Sequence, residues 1–93
     1  MYIGKIRKGG MEKMTVNKAV ALRISNLLKE KNMTQYRLEQ NSGIQHGTMA
    51  CIMAERNKTV TLSTIILISR GFNISLREFL NDPLFSDSNL DIE

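Results

Sequence analysis

Apolar residues recur at helical spacing through most of the chain after residue 14. The first such series consists of Val20, Ile24, Leu27 and Leu28. The last three follow Val20 by four, seven and eight residues, which is the spacing of one buried helix face. Asn32 follows, and asparagine tolerates the left-handed backbone conformation in which many helices end. The pattern predicts a first helix over residues 16–31.

A second, short helix is predicted over residues 35–41. The hydroxyl of Thr34 can accept hydrogen bonds from the amides of its first turn. Leu38 is expected to face the core, and Tyr36 to do so in part. Gly43 ends the helix, because glycine adopts a positive φ without steric cost.

A third helix is predicted over residues 45–54, directly after Ile44. Its apolar residues share one side of the helix: Met49, Ile52 and Met53. A polar loop, residues 55–58, follows. A fourth helix over residues 62–70 begins at the cap Thr61 and stops at Gly71, and its inner side is predicted to consist of Leu62, Ile65, Ile66 and Ser69.

The fifth helix has the strongest start signal. Ser75 and Glu78 have the spacing of a capping box, in which each side chain satisfies a free amide of the first turn. Ile74 and Phe79 occupy the positions of a hydrophobic staple on either side of it. Pro83 ends the element.

No segment alternates between apolar and polar residues convincingly enough to predict a strand, and no internal repeat is visible. We therefore expect an all-α, five-helix domain over residues 14–81. Residues 1–13 precede it as a flexible basic arm. Met11 and Met14 are candidate alternative translation starts, so the arm is not expected in every product. Residues 82–93 follow as an acidic tail that is too apolar to be purely solvated.

Charge is distributed unevenly along the chain. Residues 1–31 contain eight Lys/Arg and two Glu, a net charge of +6; residues 32–60 have a net charge of +1 and residues 61–93 of −3. A basic front and an acidic tail favour a polyanionic partner that contacts the first two thirds of the chain, whereas a solvated basic arm would explain the same asymmetry.

Other classes of protein receive little support from the composition. Cys51 is the one cysteine, which excludes an intramolecular disulfide and fits a reducing compartment. No apolar run reaches the roughly 18 residues of a membrane span, and no signal peptide is visible, so a cytoplasmic protein is expected. No catalytic triad, phosphate loop or metal-ligand cluster stands out, which predicts a protein without enzymatic activity, metal or cofactor.

Two short helices joined by a tight turn that contains glycine, residues 34–54, are typical of a helix-turn-helix. In that motif the first helix crosses the DNA backbone and the second lies in the major groove. With its apolar side turned inward, the predicted third helix presents mostly small or polar residues outward: Gln45, His46, Gly47, Ala50, Cys51 and Ala54. Gln45 and His46 are suited to hydrogen-bond base edges, and the small residues allow close approach to the groove.

Residues 20–81 resemble the XRE/Cro family of phage-repressor-like helix-turn-helix domains. The stretches that carry the resemblance are MTQYRLEQNSGI, the TM..IM register of the third helix, and TLSTIILISRGFNISLREFL. The resemblance implies phosphate contacts by Thr34, Gln35 and the loop residues Arg56, Asn57 and Lys58. It implies base contacts by Gln45, His46, Gly47 and Cys51.

The chain departs from the family pattern at two points. Leu28 and Met53 stand where many members have an Arg–Glu ion pair, and this exchange should be neutral or stabilising. Glu55 stands where a glycine is common after the third helix. A strained backbone is therefore expected at Glu55, and the sequence does not determine at which residue the third helix ends.

Alternatives remain for several of these residues. His46 is either a base contact or a solvated residue at a helix start, and Cys51 is a small groove-facing residue or, less favoured, a redox-sensitive thiol. The basic side chains Lys5, Arg7 and Lys8 either only solvate the arm or follow the DNA backbone or minor groove.

We expect a sequence-specific regulator of transcription, a repressor that binds duplex DNA as a homodimer. Its dimer surface is predicted on the fifth helix with Phe79, Leu84 and Phe85, unless these residues fold back onto the core. Two alternatives stay open at this point. One is an antitoxin that binds both DNA and a toxin, and the other is a protein-interaction adaptor that does not bind DNA.

Overall fold

The computed structural model describes residues 14–57, 59–86 and 88–91. Its main elements are five helices: α1 (Val16–Glu30), α2 (Gln35–Ser42), α3 (His46–Met53), α4 (Leu62–Gly71) and α5 (Leu76–Leu80). The prediction of a five-helix, all-α fold is confirmed. A short 3-10 turn, Pro83–Phe85, follows α5. Among the described residues no helix combines the length and the apolar character needed to cross a membrane.

Hydroxyl side chains cap the amino ends of four of the helices. Thr34, Thr61 and Ser75 accept hydrogen bonds from the amide three residues later, as expected from the sequence, with donor–acceptor distances of 3.0, 3.2 and 3.0 Å. Thr15 does the same for α1 at 3.1 Å. Each bond satisfies an amide that has no partner within its own helix.

Left-handed residues follow the helices, although one predicted stop was wrong. Asn32 has φ 53° and Gly43 has φ 78°, as the sequence indicates. Gly71 was predicted to stop the fourth helix, but it is the last helical residue, and the left-handed residue is Asn73, with φ 59°. Gly71 must therefore be required for another reason.

The reason is the close approach of α4 to α2. A Cβ atom added to Gly71 would lie 2.8 Å from Leu38 Cδ1 and 3.0 Å from Ser42 Cβ. Both distances are shorter than normal van der Waals contact. The glycine lets α4 pack directly against α2, the first helix of the helix-turn-helix.

A Gly71→Ala variant should therefore lose about 1–3 kcal/mol of unfolding free energy, since overpacking outweighs the better helix propensity of alanine. Urea unfolding followed by circular dichroism measures the loss. Gly47→Ala is the matched control, because Gly47 is also helical but has no atom within 4 Å of an added Cβ. It should gain about 0.5–1 kcal/mol. Equal effects of the two substitutions would refute the packing role.

The core lies between α1 and the other helices, and its largest side chains are at most 2% exposed: Phe72, Phe79, Ile24, Leu38, Met49, Ile52, Ile68 and Val20. Two orientations differ from the prediction. Tyr36 is 66% exposed and Leu62 is 58% exposed, so neither contributes to the core. The inner face of α4 is instead formed by Ile65, Ile68 and Ser69.

The segment after α5 packs back onto the domain. Phe79 is fully buried, and Phe85 packs against it with ring centroids 5.9 Å apart. A two-residue strand, β1 (Met14–Thr15), pairs in parallel with β2 (Leu90–Asp91), which the sequence did not predict. Phe79 is therefore not available for the predicted dimer surface, and the half-buried Phe85 fits the alternative of a segment folded onto the core.

Arg23 of α1 links this helix to the end of α5 and to the residues that follow it. Its Nε donates to the carbonyl of Phe79 at 2.8 Å, and its Nη2 donates to the carbonyl of Glu78 at 2.9 Å. Nη1 forms an ion pair with Asp82 at 3.1 Å. The guanidinium group thus satisfies the carbonyl of Phe79 at the end of α5. It is a second donor to the carbonyl of Glu78, which also accepts from the amide of Asn81 at 3.3 Å.

Candidate nucleic-acid interface

The turn between α2 and α3 is held by its own hydrogen bonds. Ser42 Oγ donates to the carbonyl of Glu39 at 3.4 Å and accepts from the amide of Ile44 at 3.2 Å. Ile44 is buried, and so are Met49 and Ile52 on the inner side of α3. These contacts fix the angle at which α3 leaves the turn, and they determine which side of α3 faces outward.

The outward side begins with an exposed segment at the start of α3, residues 45–48. All four of its residues, Gln45, His46, Gly47 and Thr48, are exposed. Gln45 is the N-cap residue, but its side chain makes no capping hydrogen bond. Cys51, one helical turn further along, is half-buried. The segment 45–48 therefore offers an amide, an imidazole and a hydroxyl to a ligand, without a covering layer from the described part of the chain.

A buried carboxylate connects this segment to α2. Glu39 is only 7% exposed, and its carboxylate receives two side-chain contacts. Nδ1 of His46 lies 3.0 Å from Oε2 and 3.2 Å from Oε1, and Nε2 of Gln35 donates to Oε2 at 3.2 Å. Since two donors satisfy it, the carboxylate is tolerated at the junction of the helices.

Thr34 and Gln35 lie at the amino end of α2, as predicted. The Thr34 hydroxyl is exposed and accepts from the amide of Arg37 at 3.0 Å. A hydroxyl that accepts one hydrogen bond still has a proton to donate. Gln35 is half-buried, and its amide group is oriented by Glu39.

The loop after α3 begins with a left-handed residue. Glu55 has φ 59°, in line with the strained backbone expected there. The amide of Arg56 donates to the carbonyl of Cys51 at 3.0 Å, and that of Glu55 to the carbonyl of Ile52 at 3.1 Å. These two bonds form a Schellman motif, which fixes the end of α3 at Met53.

Arg56 is exposed in this loop, and Asn57 is half-buried. The carbonyl of Asn57 accepts from the side-chain amide of Asn17 on α1, which ties the loop to the domain. Lys58, the third predicted phosphate contact of the loop, lies outside the described residues, as does the basic arm, residues 1–13.

Sequence reasoning missed three residues of this region. Thr48 is exposed beside Gly47, although it precedes the buried Ile52 by four residues, so helical spacing gives no signal that it faces solvent. Glu39 follows Gln35 by four residues, a spacing that brings side chains together on a helix. Asn17 has no signal in the sequence, because its partner Asn57 is forty residues away.

Comparisons with known proteins agree with this geometry. The family model described as "Cro/C1-type HTH DNA-binding domain" matches residues 23–83, more than half of the chain. The crystal structure of the prophage Lp1 protein 11 has the same fold, with a TM-score of 0.71 and 23% sequence identity over 83% of this chain and 99% of that one. No curated protein matches the chain by sequence. The chain belongs to the family of Cro/C1-type helix-turn-helix DNA-binding domains.

Proposed function

We propose that this protein represses transcription by binding a specific duplex DNA site, with α3 in the major groove. The observation that carries the proposal is the exposed segment 45–48, at the start of a helix that is anchored to the core by Met49 and Ile52. A helix in this position needs one firmly packed side and one free side that bears hydrogen-bonding groups. The cytoplasm is the compartment in which we place this activity.

Gln45 and His46 are assigned to base edges in the proposed complex. Both side chains are exposed at the first turn of α3, the part of a recognition helix that reaches the bases. Gly47 is exposed and has no side chain, so the backbone can approach the groove closely at this point. Cys51 extends the same side of the helix and is assigned to a van der Waals contact with a base.

Phosphate contacts are assigned to the two ends of the helix-turn-helix. Thr34 and Gln35 lie where the amide groups of α2 begin, and helix amino ends favour phosphate. Arg56, Asn57 and Lys58 of the loop after α3 would contact the backbone on the other side. Such contacts hold the protein in register on the duplex without selecting a sequence.

A homodimer is part of the proposal, because one small module buries little DNA surface. Two copies related by a two-fold axis would place their α3 helices about 34 Å apart on a near-palindromic site. No dimer surface is assigned, since Phe79 belongs to the core of the domain and Phe85 packs, half-buried, against it.

Alanine substitutions separate the two kinds of contact. After a preferred site has been selected from random duplexes, Gln45→Ala and His46→Ala should each cost about 1–3 kcal/mol at particular base pairs only. Gln35→Ala should weaken binding to every sequence alike. Fluorescence anisotropy with site variants measures both effects.

The same experiment can refute the proposal. If neither Gln45→Ala nor His46→Ala alters the sequence preference, the face assigned to the bases is wrong. Binding to duplex DNA should also weaken steeply between 50 and 200 mM salt, because Lys and Arg release counterions from the phosphates. A protein that binds no duplex even at the lower salt concentration is not a DNA-binding regulator.

A further inference from the structure

The contact between Glu39 and His46 has a chemical consequence for base recognition. The oxygens of a carboxylate accept hydrogen bonds but do not donate them. Nδ1 of His46 lies 3.0 and 3.2 Å from the two oxygens, so this ring nitrogen carries the proton. In a neutral imidazole the other nitrogen, Nε2, is then an acceptor.

In this contact the Glu39 side chain is buried and the His46 side chain is exposed. The Glu39 side chain is 7% exposed and is also held by Gln35, whereas the His46 side chain is 79% exposed. The carboxylate is therefore a fixed part of the domain, and the imidazole ring extends from it into solvent. A buried second residue that fixes a histidine tautomer also determines what the exposed nitrogen can bind.

We propose that Glu39 is a specificity-determining residue, which makes His46 select an exocyclic amino group in the major groove, N6 of adenine or N4 of cytosine. These groups are the hydrogen-bond donors that bases present there, whereas guanine presents only acceptors. The inference rests on the proposed function, because it needs α3 in the groove. It adds the class of base that His46 selects and the residue that sets this choice.

The first test determines the tautomer without DNA. His46 is the one histidine of the chain, so its ring nitrogens give a single set of signals in two-bond ¹H–¹⁵N NMR spectra. At pH 8 the protein should show the Nδ1–H form of the neutral ring. Predominance of the Nε2–H form would overturn the inference and leave the proposed function standing.

The second test measures base preference with Glu39→Gln, whose side chain has the same shape. The amide can accept from Nδ1–H or donate to Nδ1, so both tautomers become available and guanine becomes an acceptable partner. At the position that His46→Ala identifies, the preference for adenine or cytosine over guanine should fall about three- to tenfold.

A charge control is needed, because removing an acidic group raises affinity for all DNA. Glu30→Gln makes the same change at an exposed residue at the end of α1, and it should leave the base preference unchanged. An unaltered preference in Glu39→Gln, or a wild-type preference for guanine at this position, would overturn the inference alone. Absence of duplex binding by the wild-type protein would overturn it together with the proposed function.

Discussion

An Arg23→Met variant should lose about 3 kcal/mol of unfolding free energy, at the lower end of the range for breaking a buried ion pair. Methionine fills much of the same volume but cannot donate. The carboxylate of Asp82 and the carbonyl of Phe79 would lose the guanidinium group that now satisfies them, and the carbonyl of Glu78 would keep only the amide of Asn81. The lower value is chosen because Asp82 keeps 23% of its side chain exposed, and water can solvate part of it.

Thermal unfolding followed by circular dichroism should show a midpoint about 10–20 °C lower for this variant. Arg77→Met on α5 is the matched control, because Arg77 is exposed, and its unfolding free energy should change by no more than about 0.5 kcal/mol. If Arg23→Met unfolds at the wild-type temperature, the bonds from α1 to the end of α5 do not stabilise the domain.

Much of the fold could be predicted because its signals are local. Thr34, Thr61 and Ser75 mark helix starts through a bond to an amide only three residues away. Asn32 and Gly43 mark ends through their own backbone preferences. Each signal depends on a few neighbouring residues, so it can be identified from the sequence without knowledge of the tertiary structure.

Errors occurred where a local pattern allowed two solutions. In α4 apolar residues are so frequent that a face through Leu62 and Ile65 fits helical spacing as well as one through Ile65 and Ile68. The choice is made by packing against α2, which the periodicity of α4 cannot report. The ion pair of Arg23 with Asp82 was missed for a related reason, because its partners are 59 residues apart.

The candidate site also has one part that local sequence predicts and one part that depends on tertiary structure. Within the exposed segment 45–48, the exposure of Gly47 follows from the buried stripe of α3, because Gly47 lies on the opposite side of the helix. Gln45 and Thr48 precede the buried Met49 and Ile52 by four residues, so their exposure reflects their place at the amino end of α3 and does not follow from helical spacing. The role of Glu39 does not follow from α2 alone. Its contact with His46 depends on the angle between two helices, and Ser42 and Ile44 set this angle through the geometry of the turn.

A Gly47→Glu variant should lose at least about 100-fold in duplex affinity while remaining folded. Open space surrounds the position of the new Cβ, so the domain can accept the side chain without rearrangement. Glutamate in the first turn of a helix is favourable, and replacing glycine also removes an entropic cost. The same carboxylate would lie against phosphates and base acceptors in the groove, where like charges cost several kcal/mol.

Equilibrium unfolding and fluorescence anisotropy on the same sample separate the two effects. Gly47→Ala controls for the loss of glycine and should weaken duplex binding far less than Gly47→Glu, and Asn26→Glu adds the same charge at an exposed position of α1. A general electrostatic effect would lower the duplex affinity of Gly47→Glu and Asn26→Glu to similar extents. An interface on α3 would instead make the loss of affinity specific to Gly47→Glu. Full duplex affinity in a folded Gly47→Glu protein would show that the amino end of α3 does not enter the groove.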